Sequence, residues 1–155
     1  GALFVCGSKH PASHLQMRAL GVPLRVLRPG PAERAACVAE LAADLAARGF
    51  AAMLCADYPG APEDALAAME DVVGTLASAA PVSALFATGG ETARALCRRL
   101  GGASLELRAE IEPGVTAARM TSPGGARLII AKPGGYGNAQ TLVRAREWLS
   151  VRMAV

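Results

Sequence analysis

The feature that most constrains this chain is the alternation of short apolar runs with helical segments along its first two thirds. Four apolar runs are each followed by a segment with helical spacing or a helix-start signal, in the order 3–6, 12–20, 24–27, 31–48, 51–55, 63–78, 82–87 and 91–100. Strands that alternate with helices indicate parallel strands joined by crossover helices. The sequence therefore predicts a mostly parallel sheet with helices on both faces.

Local signals set the boundaries and faces of the predicted helices. Pro31 stands at a first helical turn, where proline is tolerated, and Gly49 follows a last turn, where glycine commonly ends a helix. In the helix over residues 12–20, the spacing of apolar side chains predicts that Leu15 and Ala19 lie on the buried face. Each helix thus has one face suited to packing on the sheet.

The alternation stops after residue 101. Three strand-like runs follow without helices between them, at residues 105–111, 116–121 and 128–131, before a last helix from residue 139 to about residue 151. Their short Pro-Gly connections are typical of tight turns, which favour antiparallel pairing. The predicted fold class is therefore α/β: a Rossmann-like three-layer domain with a mostly parallel sheet, helices on both faces and some antiparallel strands near the C-terminal end.

Length and composition favour one soluble domain. The 155 residues include 52% apolar and 19% charged side chains, and no apolar run approaches the roughly 20 residues of a membrane span. The net charge of +3 comes from scattered arginines, and aromatic residues make up only 4%, so no nucleic-acid-binding patch is indicated. We expect residues 1–155 to form a single domain with neither a nucleic acid nor a membrane as partner.

The four cysteines, Cys6, Cys37, Cys55 and Cys97, are expected to be free thiols in apolar surroundings. They form no CxxC pair, so neither a zinc site nor a disulfide framework is indicated, and no metal ligands are predicted. The chain opens within an apolar run without a recognisable signal peptide. We therefore expect a cytoplasmic protein, and a chain that is a fragment of a longer one.

Three predicted strand ends carry small, hydroxyl or charged residues that suit a phosphate group. They are Gly7 and Ser8 after the first strand; Thr88, Gly89, Gly90, Glu91 and Thr92 after the fourth; and Lys132, Gly134, Gly135, Tyr136 and Gly137 after the last. The carboxyl ends of parallel strands meet at one sheet edge, where the free N–H groups of helix N-termini favour anions. Glycines let the backbone approach a ligand closely, and the lysine supplies a positive charge. The three loops together predict a nucleotide site.

Each loop alone also has a plain structural interpretation. The chain contains neither the Walker pattern GxxxxGK[ST] nor GxGxxG, and a single Gly-Gly pair is most often a turn. Tyr136 suits either stacking on an adenine or covering a loop, and Glu91 suits either the positive end of a helix dipole or a place near Mg²⁺ or ribose. His14 is expected to be an exposed helix residue.

Four short motifs occur in chain order: Gly7-Ser8 with Gln16, TGGETA at residues 88–93, EIEPGV at residues 110–115 and KPGGYG at residues 132–137. Together they resemble the C-terminal nucleotide-binding domain of the four-carbon acid sugar kinases, over nearly the whole chain. The resemblance implies an ATP- and Mg²⁺-dependent kinase of two domains. In such a kinase a preceding N-terminal domain holds the acid sugar, such as threonate, erythronate or a 3-oxo form, and this domain holds ATP.

Carried over by position, the resemblance implies that Ser8, the segment from Gly89 to Thr92 and Gly135 contact ATP. The sequence departs from the family pattern at Lys9 and His10, where small or hydroxyl residues are more usual, and at Asn138, where aspartate is frequent. No residue is identified as the catalytic base, which is expected in the N-terminal domain. Two other functions stay open: a non-catalytic module that binds a nucleotide or sugar phosphate, and an assembly domain. If the chain is an assembly domain, a homodimer is the expected assembly.

Overall fold

A computed structural model describes residues 1–153 as five helices and seven strands. In chain order the elements are β1 (Ala2–Cys6), α1 (Pro11–Ala19), β2 (Leu24–Val26), α2 (Pro31–Arg48), β3 (Phe50–Leu54), α3 (Pro62–Ala79), β4 (Ala84–Thr88), α4 (Gly90–Arg99), β5 (Ser104–Glu112), β6 (Val115–Ser122), β7 (Gly125–Lys132) and α5 (Thr141–Met153). The predicted elements are all present, although β7 begins earlier in the chain than its apolar run suggested. Its first residues gain their strand conformation by pairing with β6.

All seven strands form one sheet in the order β2-β3-β1-β4-β7-β6-β5. The first five strands in this order, from β2 to β7, are parallel to one another. The strand β6 pairs antiparallel with both β7 and β5. The predicted α/β class and the antiparallel strands near the C-terminal end are therefore confirmed. The strand order reverses between β1 and β4, which is where open α/β sheets leave a crevice at their carboxyl edge.

The sheet separates two apolar cores. Helices α2, α3 and α4 cover one face, and α1 and α5 cover the other. On the second face the rings of Phe4 and Phe86 stack with their centroids 5.2 Å apart, and both side chains are fully buried. Fully burying one such side chain stabilises the fold by about 1.5–3 kcal/mol. Burial on both faces explains why the central strands read as continuous apolar runs.

Helix α1 packs on the sheet with a different face from the one predicted. Leu15 is 59% exposed, whereas Ser13, Gln16 and Met17 are buried. The prediction was wrong because it weighed only apolar spacing. Two buried polar side chains instead turn toward the loop after β7, where they find hydrogen-bond partners.

The four cysteines are free, as predicted. Burial raises the pKa of the Cys6 and Cys37 thiols to about 11, so both are protonated near neutral pH. Protonated, buried thiols are poor nucleophiles and poor metal ligands. Within residues 1–153, no helix has both the length and the apolarity that crossing a bilayer would require.

Candidate functional site

The three predicted loops leave neighbouring strands at the same edge of the sheet. Cys6, Thr88 and Lys132 end β1, β4 and β7 and stand in register across these three adjacent parallel strands. Backbone hydrogen bonds continue the pairing into the loops, from Gly7 N to Thr88 O at 3.3 Å and from Gly89 N to Lys132 O at 2.9 Å. The structure therefore brings together the three segments that sequence motifs had singled out separately.

The loops after β1 and β4 are in direct contact. Gly7 lies so close to Thr92 that an added Cβ would collide with the Thr92 hydroxyl, so only glycine fits there. Gly89 precedes α4 with a φ of +109°, a conformation that other residues rarely adopt. No side chain caps this helix, and its first-turn amides have no hydrogen-bond partner among residues 1–153. Such a helix end favours an anion.

Lys132 is not directed into open space. Its side chain is 2% exposed, and its Nζ donates hydrogen bonds to Pro133 O at 2.9 Å and Gly134 O at 2.7 Å. Burial lowers the pKa of this ammonium group. The one cation that the sequence placed at the site is thus bonded to carbonyls of the loop that follows it.

Helix α1 also donates hydrogen bonds to carbonyls of this loop. Ser13 Oγ donates to Gly134 O, and Gln16 Nε2 donates to Tyr136 O at 2.9 Å. Sequence reasoning noted Gln16 only as part of a motif and missed Ser13. The signal that could have found them is two polar residues three positions apart on an otherwise packed helix, since buried polar groups need partners.

Two buried polar atoms near the loops have no hydrogen-bond partner within residues 1–153. They are Gln16 Oε1 and Thr88 Oγ1. Thr88 is the register partner of Lys132 on the adjacent strand, so their side chains lie on the same face of the sheet. A buried hydroxyl without a partner is costly, which marks this end of the sheet as a place suited to a polar ligand or a bound water.

The two histidines of the first loop and helix are both engaged with backbone. His10 Nδ1 accepts from Ala12 N at 3.2 Å and so caps α1. His14 is half-buried, with Nε2 3.2 Å from Ser8 O. The expectation of an exposed His14 was therefore wrong, because α1 turns this residue toward the loop after β1.

Tyr136 covers a turn. Its ring lies against Gly114 in the β5–β6 connection, where an added Cβ would come within 2.5 Å of the ring. The side chain is still 50% exposed, so one part of the ring stays open to solvent. Tyr136 therefore covers the β5–β6 turn, which is one of the two roles that the sequence left open.

Two cavities flank the N-terminus of α4. One of about 180 Å³ lies toward α3 and includes Gly7, Tyr58, Met69 and Glu91 in its lining; the other, of about 360 Å³, lies toward β7 and includes Gly90, Gly114, Thr116 and Lys132. A further cavity, of about 490 Å³, lies between α2 and α3 and contains none of the predicted residues. The three loops thus border open space on both sides of one helix end.

The carboxylates near the site divide into bonded and free ones. Glu110 accepts a hydrogen bond from Gly114 N at 3.0 Å, and Glu112 pairs with Arg144. Glu91 is exposed in the first turn of α4 and has no ion-pair or hydrogen-bond partner among residues 1–153. No cluster of three His, Cys, Asp or Glu side chains in the described part of the chain is arranged to hold a metal ion. Mg²⁺ at nucleotide sites commonly takes one or two carboxylates plus phosphate oxygens, and a single free carboxylate fits that pattern.

The chain is similar to one known protein family and to several solved structures. Residues 3–142 match a family described as a nucleotide-binding C-terminal domain. A Bordetella bronchiseptica structure, described as a domain of unknown function with bound citrate in a domain-swapped dimer, is 26% identical with a TM-score of 0.73, over 94% of this chain and 40% of that one. No curated protein matches the chain.

Two further structures share the fold at lower identity. A Haemophilus influenzae protein assigned to the same domain of unknown function is 20% identical with a TM-score of 0.71, over 94% of this chain and 40% of that one. A Salmonella typhimurium LT2 protein, provisionally named a tRNA synthase, is 20% identical with a TM-score of 0.68, over 93% of this chain and 40% of that one. The chain spans about 40% of the length of these structures.

Proposed function

This chain belongs to the nucleotide-binding C-terminal domain family, and on that premise we propose that it forms the ATP-binding half of a kinase that phosphorylates the terminal hydroxyl of a four-carbon acid sugar, of the threonate, erythronate or 3-oxo-tetronate type. The family match confirms the resemblance to the C-terminal domain of the four-carbon acid sugar kinases. The observation that carries the proposal is the meeting of three glycine-containing loops, with unbonded amides, at one edge of the sheet.

In this proposal backbone amides bind the phosphates of ATP. The groups suited to it are the first-turn amides of α4 and the amides of Gly134, Gly135 and Gly137, none of which has a hydrogen-bond partner within residues 1–153. Ser8 adds a hydroxyl beside Gly134, where an added Cβ would collide with its Oγ. Amides fixed at a helix end and in a glycine loop stabilise negative charge without a large reorganisation.

The proposal assigns Mg²⁺ to the exposed side of the α4 N-terminus. Glu91 would hold it together with the phosphate oxygens, because this exposed carboxylate lies in the first turn of α4 and has no partner among the described residues. Bound there, the ion would neutralise charge on the phosphates. The remaining task of the chain is to orient the nucleotide and to exclude water from the glycine loops.

The hydroxyl acceptor and its base are assigned to the part of the relatives that this chain does not cover. Both histidines near the site are held by the loop and helix backbone, and Glu110 and Glu112 are bonded to Gly114 and Arg144. Each of these groups already has a backbone or Arg144 partner, which favours an acceptor and a base outside this chain. We also assign the protein to the cytoplasm, because four unpaired cysteines suit a reducing compartment.

ATP with Mg²⁺ is expected to raise the melting temperature of this domain. A ligand at one hundred times its dissociation constant stabilises the folded state by about 2.7 kcal/mol, because it binds the folded state alone. The measurement is thermal unfolding at increasing ATP, with a matched series of adenosine to test whether the phosphates carry the binding. An unchanged melting temperature at millimolar ATP, together with no heat of binding in calorimetry, would remove the proposal.

A homodimer through the edge strand β5 is the proposed assembly. Leu105 and Leu107 on this strand are 58% and 71% exposed, and an edge strand leaves backbone groups free to pair with another chain. The Bordetella relative is described as a domain-swapped dimer.

Sedimentation at micromolar concentration is expected to give twice the chain mass, and Leu107→Glu is expected to give the monomer. Val151→Glu, at an exposed position on α5, is the control. A monomer at every concentration would contradict the dimer.

A further inference from the structure

We propose that Lys132 is a positioning residue that presets the amides of the loop from Pro133 to Gly137, and that it does not contact the phosphates. The inference rests on the proposed function, because it concerns how this loop meets a nucleotide. It also reverses the simplest reading of the motif, in which a lysine beside glycines supplies a positive charge to the ligand.

The first step concerns which carbonyls of the loop are bonded. Three carbonyls accept hydrogen bonds from buried side chains: Pro133 O from Lys132, Gly134 O from Lys132 and Ser13, and Tyr136 O from Gln16. The donors come from the end of β7 and from α1, two elements that are packed into the sheet. The loop is therefore anchored through its carbonyls on the protein side.

The second step follows from the geometry of the peptide unit. In a trans peptide the C=O of one residue and the N–H of the next point in opposite directions, and the chain has no cis peptide bond. The three anchored carbonyls belong to the same peptide units as the N–H groups of Gly134, Gly135 and Gly137. These three amides have no partner within residues 1–153. Anchoring the carbonyls inward thus turns these amides away from the protein.

The third step concerns the lysine itself. An ammonium group has three N–H donors, and two of them are directed to Pro133 O and Gly134 O. The side chain is 2% exposed, so a ligand at the surface meets the loop before it meets this group. Lys132 therefore acts on an anion through the orientation of the backbone to which its ammonium group is bonded.

The test is the motion of the loop without any ligand. In Lys132→Met, NMR order parameters of the Gly134 and Gly135 amides are expected to fall from about 0.85 to below about 0.6, because the peptide units that contain them lose the hydrogen bonds from the ammonium group. A phosphate-contacting lysine would leave these values unchanged in the ligand-free protein. Lys9→Met, which removes the only other lysine, is the matched control and is expected to leave them unchanged.

The second measurement is binding. Lys132→Met is expected to weaken ATP and ADP by the same factor, about tenfold or more, with an unchanged dependence of affinity on salt concentration. Unchanged order parameters together with a shallower salt dependence would overturn the inference, since that is the behaviour of a direct ion contact. If wild-type protein binds no nucleotide, the proposed function fails while the order parameters still decide the role of Lys132.

A second variant guards against a Lys132→Met protein that does not fold. Gln16→Leu keeps the side-chain size, involves no charge and removes the anchor of Tyr136 O. It is expected to lower the order parameter of the Gly137 amide most, because that amide shares a peptide unit with Tyr136 O. An unchanged Gly137 amide in this variant would contradict the anchoring of the loop through its carbonyls.

Discussion

Gly135→Ala is expected to lower the affinity of the domain for ATP by about tenfold or more, or about 1.4 kcal/mol per decade, while its free energy of unfolding changes little. The backbone of Gly135 is not in the left-handed region, so alanine can adopt its conformation. The added methyl would meet the ring of His10 at 3.0 Å, and that exposed side chain can shift. In the proposed site, the same methyl would lie next to the Gly135 amide and narrow the space left for a phosphate. Calorimetric titration and thermal unfolding give the two quantities.

Gly137→Ala is the matched control for this prediction. Gly137 has a φ of +80°, and an added Cβ would collide with the side chain of Thr141 at the start of α5. This variant is expected to lower the free energy of unfolding by about 1 kcal/mol or more. If Gly135→Ala instead shows this loss of stability and an unchanged affinity, the loop is a turn and its assignment to the nucleotide is wrong.

The domain by itself is expected to phosphorylate neither threonate nor erythronate, even where it binds ATP. Phosphoryl transfer to an alcohol requires a group that accepts the hydroxyl proton. Near the loops, two histidines and two glutamates are bonded to backbone or to Arg144, and the proposal assigns the remaining carboxylate, Glu91, to Mg²⁺. The measurement is product formation followed by phosphorus NMR, after calorimetry has shown that the same preparation binds ATP. Phosphorylated acid sugar from a clean preparation would show that the base lies within residues 1–155.

The central parallel strands could be predicted because both faces of this part of the sheet are buried. Continuous apolar runs such as residues 51–55, alternating with helices closed by glycine, leave few other arrangements for a chain of this length. Which face of α1 packs on the sheet could not be predicted by the same means, since Leu15 is exposed and Ser13 is buried. Apolar spacing treats serine and glutamine as solvent-facing, and only the position of a distant loop makes their burial favourable.

The glycines of the candidate site could be predicted from the sequence, whereas the orientation of the side chains around them could not. Gly7 and Gly89 stood out because close approach and positive φ exclude other residues, and the structure shows both conditions. Lys132 stood out for its charge, yet its surroundings turn that charge toward carbonyls. The direction of a side chain depends on the elements packed against it, and a linear pattern of residue types does not contain that information.

The order of the central strands has a consequence for folding kinetics. The loops that meet at the candidate site follow β1, β4 and β7, which are neighbours in the sheet but lie in the first, middle and last parts of the chain. Bringing such distant segments together costs loop-closure entropy, so these pairings are slow to form compared with local ones. The domain can then bind a nucleotide only after β7 has paired with β4. A nucleotide would accordingly prolong the lifetime of the finished sheet and leave the early steps of its assembly unchanged.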